Sequence, residues 1–146
     1  MEARTAWLLL HLLGAAIWTG GHLVLALTVL PRALHRREPG IVLSFEEGFE
    51  RLALPALFLQ ILSGLFLLHG RLPVTRWLAF GSPEETLAGV KLLALALTLG
   101  LALHARFRVL PGAGETRLRS MAWHIAAVTL LSVLLLVAGG LLTAAV

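Results

Sequence analysis

Trp7, His11, Trp18 and His22 recur at spacings of four, seven and four residues within the apolar stretch Ala6 to Leu30. At about 100° per residue, His11 and His22 fall within roughly 20° of one another around a helix, and about 16 Å apart along it. Imidazoles inside so apolar a stretch are costly unless each finds a partner, so the seam marks a functional site. The chain adds His35, His69, His104 and His124. Three chemistries use such a set. A b-type haem takes neutral imidazoles from facing helices, in an apolar slot with small residues beside the ligand. Gly14 and Ala15 lie one turn from His11, and Gly100 lies one turn before His104. Copper or zinc takes clustered imidazoles, and Met121, three residues before His124, adds a soft ligand. A proton relay runs through histidines and carboxylates.

Each residue also has a plainer reading. His69, beside Gly70, caps a helix C-terminus. His35 is a solvated interfacial residue, His104 shares its position with Arg106 and Arg108, and His11 is close enough to a helix end to snorkel. Trp7, Trp77 and Trp123 suit an aromatic belt, while Trp18 is deeper and reads as core packing. Gln60 and Ser63 read as interhelical hydrogen-bond groups, Lys91 as a snorkelling cation, and Glu50 and Arg51 as partners for Arg32 or Arg106. The leading cofactor candidates are His11, His22, His104 and His124 for haem b, and His22, Met121 and His124 for a metal ion.

The elements that must position these groups follow from composition. The 146 residues are 58% hydrophobic, with a mean hydropathy of +0.89, far above that of a soluble domain. Four apolar stretches, Ala6–Leu30, Leu52–Leu68, Leu87–Leu103 and Met121–Val146, each reach the roughly 17–25 residues of a spanning helix once extended into polar flanks. The expected fold is one all-α domain, an integral membrane four-helix bundle with helices at about 6–34, 44–69, 83–109 and 115–144. Pro31 kinks or ends the first helix. Ser44 and Glu47 form a capping box that opens the second, and Gly70 stops it. Ser82, Pro83 and Glu85 open the third. Pro111 to Gly114 make the last tight turn. Glycines within the spans let helices, or a flat ligand, approach closely.

Absence of cysteine removes disulfides, thiolate metal sites and iron–sulfur clusters. The pI of about 11.4 comes from arginines in short loops beside apolar helices, a topology signal rather than a nucleic-acid surface. The first stretch is too long for a cleaved leader and no small-residue cleavage site follows it. Arg32, Arg36, Arg37 and Arg51 crowd the first loop, and Arg106, Arg108, Arg117 and Arg119 the third. The positive-inside rule then puts both loops in the cytoplasm and both termini outside. In that orientation His11 and His69 make an outer layer, and His22, His104 and His124 an inner one.

The run HLLGAAIWTGGH from His11 to His22, followed by LPRAL at Leu30–Leu34, resembles the opening helix of the bacterial CopD-like (copper resistance D) membrane proteins. The similarity continues through FERLALPAL at Phe49–Leu57, KLLALALT at Lys91–Thr98, HARFR at His104–Arg108 and AWHIAAVTLL at Ala122–Leu131, and so covers nearly the whole chain. Length and layout also resemble the HemJ-type protoporphyrinogen oxidases. His11, the LPR at Leu30–Arg32, Lys91 and His104 match there, while Thr19–His22 and Trp123–His124 fit the CopD-like pattern better. The first resemblance implies copper handling. The second implies haem b and porphyrin oxidation, the work of a membrane oxidoreductase. The expected mechanism is electron transfer or haem-linked chemistry near the membrane, with a quinone or other redox partner. With no cysteine and only Met1 and Met121, the chain is poor in the soft ligands that Cu(I) prefers, so haem stands first and copper binding or transport second. A structural or assembly subunit with packing histidines is the third reading.

Overall fold

The computed structural model describes residues 2–109 and 118–144, and these are all-α, without a strand. Helix α1 (Glu2–Val24) continues through a π turn, Leu25–Val29, into α2 (Leu30–Arg36). Helix α3 covers Gly40–His69, α4 covers Pro83–His104 and runs into a second π turn, Ala105–Val109, and α5 covers Leu118–Ala144. Four helical runs among the described residues are long and apolar enough to cross a membrane: Ala3–Arg36, Gly40–His69, Pro83–Val109 and Leu118–Leu141. They form a bundle in which α1 packs on α3 and α5, and α4 on α5. In hydrocarbon only a structure that satisfies its own backbone is stable, and helices do so within each segment.

The surface carries what a bilayer requires. Leu9, Leu27, Phe58, Leu97, Trp123 and Leu130 all point outward and exposed, a liability in water but the ordinary lipid face of a spanning bundle. The interior is built from small side chains, among them Ala15, Ala33, Ala53, Ala88 and Ala94, which let helices approach where no hydrophobic force drives them together. Buried hydroxyls return to helix carbonyls. Ser63 donates to Leu59 (2.7 Å), Thr98 to Ala94 (2.8 Å) and Thr129 to Ile125 (2.7 Å). Thr129 lies 3.3 Å from the His22 carbonyl and Thr19 lies 3.4 Å from that of Ser132, which ties α1 to α5.

The first span departs from regular geometry where Pro31 demands it. Proline has no N–H to give the carbonyl four residues back, and its ring crowds that carbonyl. The π turn over Leu25–Val29 widens the helix at that place, so the chain passes the proline without ending. It runs two residues beyond the expected end and closes at Arg37, whose φ of 56° is left-handed.

The capping box at Ser44 does not form. Helix α3 starts at Gly40, one turn earlier, behind Pro39. Val42 is 1% exposed and packs with Leu25, Leu30 and Ala33. Burial of that side chain extends the helix past a cap signal that is locally sound but worth only about 1 kcal/mol. Ser82 behaves as its sequence suggests, accepting a bond from the Glu85 backbone N–H at 3.2 Å. Glu85 is buried there, held by Arg76 and by the Gly81 N–H (2.8 Å). Helix α3 ends at Gly70, in right-handed conformation rather than in a left-handed glycine stop. The turn expected at Pro111–Gly114 and the helix start at Glu115 fall outside the described residues.

Candidate functional site: two cavities on either side of Trp18

The histidines do not gather in one place. Two cavities run along the bundle, and Trp18, 5% exposed, borders both.

The first, about 930 Å³, is lined by His11 and Gln60, with Lys91, Arg71 and Arg4 supplying cations. That volume sits at the upper end of the roughly 300–1,000 Å³ of small-molecule and cofactor sites. His11 is half-buried and held by α3. Its Nδ1–H donates to the Gln60 carbonyl (2.9 Å), with the Ser63 hydroxyl 3.2 Å away. A carbonyl only accepts, so the proton sits on Nδ1 and Nε2 carries the lone pair. Gly64 makes room for the ring: a Cβ there would stand 2.8 Å from His11 Cε1. Trp7 stacks on Phe66 near this end, centroids 4.8 Å apart. Lys91 lies over Gly139 of α5, where a Cβ would come within 3.1 Å of the ammonium nitrogen.

The second cavity, about 310 Å³, is lined by His22, Phe49, Glu46, Arg106, Met121 and His124, among others. His22 is 8% exposed. Its Nδ1–H donates to the Trp18 carbonyl at 2.8 Å, its ring packs on the Trp18 indole at 4.4 Å, and Phe49 meets it edge-on at 5.6 Å. Gly21 allows this, since a Cβ there would run into the Phe49 ring at 2.1 Å. At the rim, Arg106 pairs with Glu50 at 3.1 Å. The second π turn, Ala105–Val109, follows directly on His104, and the first, Leu25–Val29, begins three residues after His22.

His104 and His124 form a third group. His124 Nδ1–H donates to the Ser120 carbonyl (2.9 Å), which leaves its Nε2 to accept from His104 Nδ1–H at 2.8 Å, and the rings stack at 4.9 Å. Both nitrogens of His124 are therefore occupied, and the open nitrogen of the pair is His104 Nε2. His104 itself is exposed and lines neither cavity.

Of the expected inner layer, His22 and His124 thus share a cavity and His104 joins His124 from outside it. The expected outer layer does not form. His69 is exposed in the last turn of α3 and does not line the cavity that holds His11. His35 is exposed in the last turn of α2. Glu50 chooses Arg106, and Arg51 pairs with Glu47 on its own helix at 3.9 Å. Met121 is buried and lines the second cavity with His22 and His124. No cluster of three or more His, Cys, Asp or Glu suited to a metal ion occurs among the described residues. Gly14 serves helix packing against Ala56 and Gln60, and Gly100 faces open space.

Sequence reasoning undervalued three residues. Trp18, read as packing, separates the cavities, and its indole N–H has no hydrogen-bond partner among the described residues. Gln60, read as glue between helices, orients His11 through its carbonyl while its side-chain oxygen is buried and unpartnered. Lys91 lines the first cavity. The seven-residue spacing of Trp18 from His11 carried part of the signal, whereas Gln60 and Lys91 reach the cavity through the rotation of α3 and α4.

The fold and cavities define a class, a helical bundle of membrane type with two internal sites. Comparison with family models, curated proteins and solved structures finds no match.

Proposed function

We propose that the protein is a multi-pass inner-membrane haem protein, in which haem b would be held in the first cavity by His11 Nε2. The observation that carries this reading is the His11 setting: a single imidazole, fixed as the Nδ1–H tautomer by Gln60, beside a cavity of about 930 Å³. The residues present fit the group. Gln60 Oε1 is a buried polar atom without a partner among the described residues at this cavity, and Gly64 leaves the space that the imidazole needs. Lys91 and Arg4 supply positive charge on the cavity wall to match carboxylate side chains of a porphyrin, while Arg71 on the same wall pairs with Glu84 at 3.9 Å. When bound, such a group supplies one-electron redox chemistry. The chain's part is to hold the imidazole neutral and oriented, to surround the site with leucine, and to offset the carboxylate charge. The same site is the one the HemJ-type resemblance singles out through His11 and Lys91. A quinone or another redox partner would exchange electrons with this site.

The test is a reduced-minus-oxidised absorbance spectrum of protein purified in mild detergent from cells supplied with haem precursors. A Soret band that shifts on reduction, with sharp reduced bands, is expected. A spectrum without a Soret band rejects the reading and puts the copper alternative to metal analysis.

The orientation is proposed as both termini outside, from the arginines near Arg37 and Arg106. The chain has no cysteine, so single substitutions report on it directly. Arg37→Cys should react with a membrane-impermeant maleimide only after permeabilisation, and Ala79→Cys in intact spheroplasts. The opposite pattern inverts the topology.

A further inference from the structure

The second cavity is lined by a donor and an acceptor in contact: the Trp18 indole N–H, buried and without a partner among the described residues, and His22 Nε2. Trp18 Nε1–H is orphaned and its residue is 5% exposed. His22, 8% exposed, spends its Nδ1 proton on the Trp18 carbonyl, and its Nε2 lone pair has no partner among the described residues. The two rings touch at 4.4 Å, and both line the cavity. Native interiors rarely leave a buried donor unpaired, so the Trp18 N–H requires an explanation, and His22 Nε2 lies beside it as an available acceptor.

A hydroxyl group answers both, because it accepts one hydrogen bond and donates another. A carbonyl would satisfy only Trp18, and an ammonium would find His22 and the carboxylates of Glu46 and Glu50 but leave the Trp18 N–H unpaired. A carboxylate would meet Glu46 and Glu50 on the same wall, where the one arginine, Arg106, is engaged by Glu50 at 3.1 Å. The remaining wall is apolar, with Phe49, Val128, Leu57 and Leu99 among its residues. The way in is also apolar. Leu54, Leu103 and Phe107 line the cavity and are 54%, 57% and 70% exposed on the lipid face. A ligand therefore arrives from the hydrocarbon phase rather than from water.

We propose that this second cavity is a binding site for a membrane-soluble hydroxyaromatic molecule of the quinol class, with the Trp18 indole N–H as hydrogen-bond donor and His22 Nε2 as acceptor. The volume of about 310 Å³ suits one ring with its hydroxyls. Phe49 and the Trp18 indole supply aromatic faces on which such a ring packs. The site is separate from the His11 cavity, and it stands whether or not that cavity holds haem.

The experiment is anaerobic calorimetric titration of the full-length protein in detergent, with empty micelles as blank. The probes are tetramethylhydroquinone and its dimethyl ether, which keeps shape and loses both hydroxyl protons. The hydroquinone should bind, with the ether weaker by about tenfold or more, the worth of one buried hydrogen bond. Trp18→Phe and His22→Phe should each weaken the hydroquinone about tenfold and leave the ether unchanged, while His22→Gln, which keeps an acceptor, should lose less. Each variant is checked for helicity and monodispersity. If neither phenylalanine variant folds, the contrast between the two probes on the unaltered protein decides alone. Equal affinity for diol and ether, undiminished binding by both variants, or no binding of the hydroquinone above the micelle blank overturns the proposal.

Discussion

Replacing His11 with glycine should empty the protein of haem, and imidazole added to the medium should restore it. The expectation follows from where His11 stands. It is the one histidine on the wall of the first cavity, so no second imidazole is placed to take over. Its removal leaves a hole continuous with that cavity, beside the Gln60 carbonyl that held Nδ1–H at 2.9 Å. Free imidazole brings the same N–H to that carbonyl and presents the same lone pair. Haem content per protein should fall at least about tenfold, since the metal–imidazole bond is the strongest single contact such a site offers, and recover in millimolar imidazole. The fold should survive, because Ser63 keeps its bond to Leu59 at 2.7 Å. Gly64→Val separates ligation from bulk. Its Cβ would lie 2.8 Å from His11 Cε1, so the ring must shift, and the spectrum should change while the imidazole is still present. His104→Ala should leave haem content unaltered, as His104 lines neither cavity. Full haem occupancy in His11→Gly without imidazole sinks the assignment and turns attention to His22.

The spans were legible because apolar length is a local property. The helices expected at 6–34 and 83–109 lie within a few residues of the described runs Ala3–Arg36 and Pro83–Val109. A bilayer leaves little choice of secondary structure once some 20 residues are apolar. The start of α3 was not legible in the same way. Ser44 and Glu47 make a valid local signal, and the burial of Val42, a tertiary fact, overrides it. The π turns were half legible: Pro31 announces a disturbance, whereas nothing before Ala105 does so. The cofactor candidates divide for a further reason. His11 and His22 share a face of α1, yet α3 presents Gln60 to one and Phe49 to the other. Spacing within a helix gives direction and depth, but the partner across the gap depends on how neighbouring helices are rotated. The His104–His124 contact likewise depends on the crossing of α4 and α5.

The glycines of α1 show that limit most sharply, and they carry the second large effect. Gly14 and Gly20 look alike in sequence, both small residues in an apolar run. In the bundle a Cβ on Gly14 would meet the Ala56 backbone oxygen at 2.8 Å and Gln60 Cβ at 2.9 Å, while a Cβ on Gly20 would meet nothing within 4 Å. A backbone oxygen on a packed helix cannot swing aside, so Gly14→Val must push α1 from α3. Overpacking of this kind costs about 1–3 kcal/mol or more, and it also moves Gln60, which holds His11. The expected result is a melting temperature lowered by roughly 5 °C or more in detergent, together with reduced haem content. Gly20→Val adds the same atoms to the same helix and relieves the same backbone freedom, so it should melt at or above the temperature of the unaltered protein. Thermal unfolding followed by circular dichroism distinguishes the two. Equal melting of both variants would mean that α1 and α3 do not approach at Gly14, and the orientation of His11 toward Gln60 would fall with that contact.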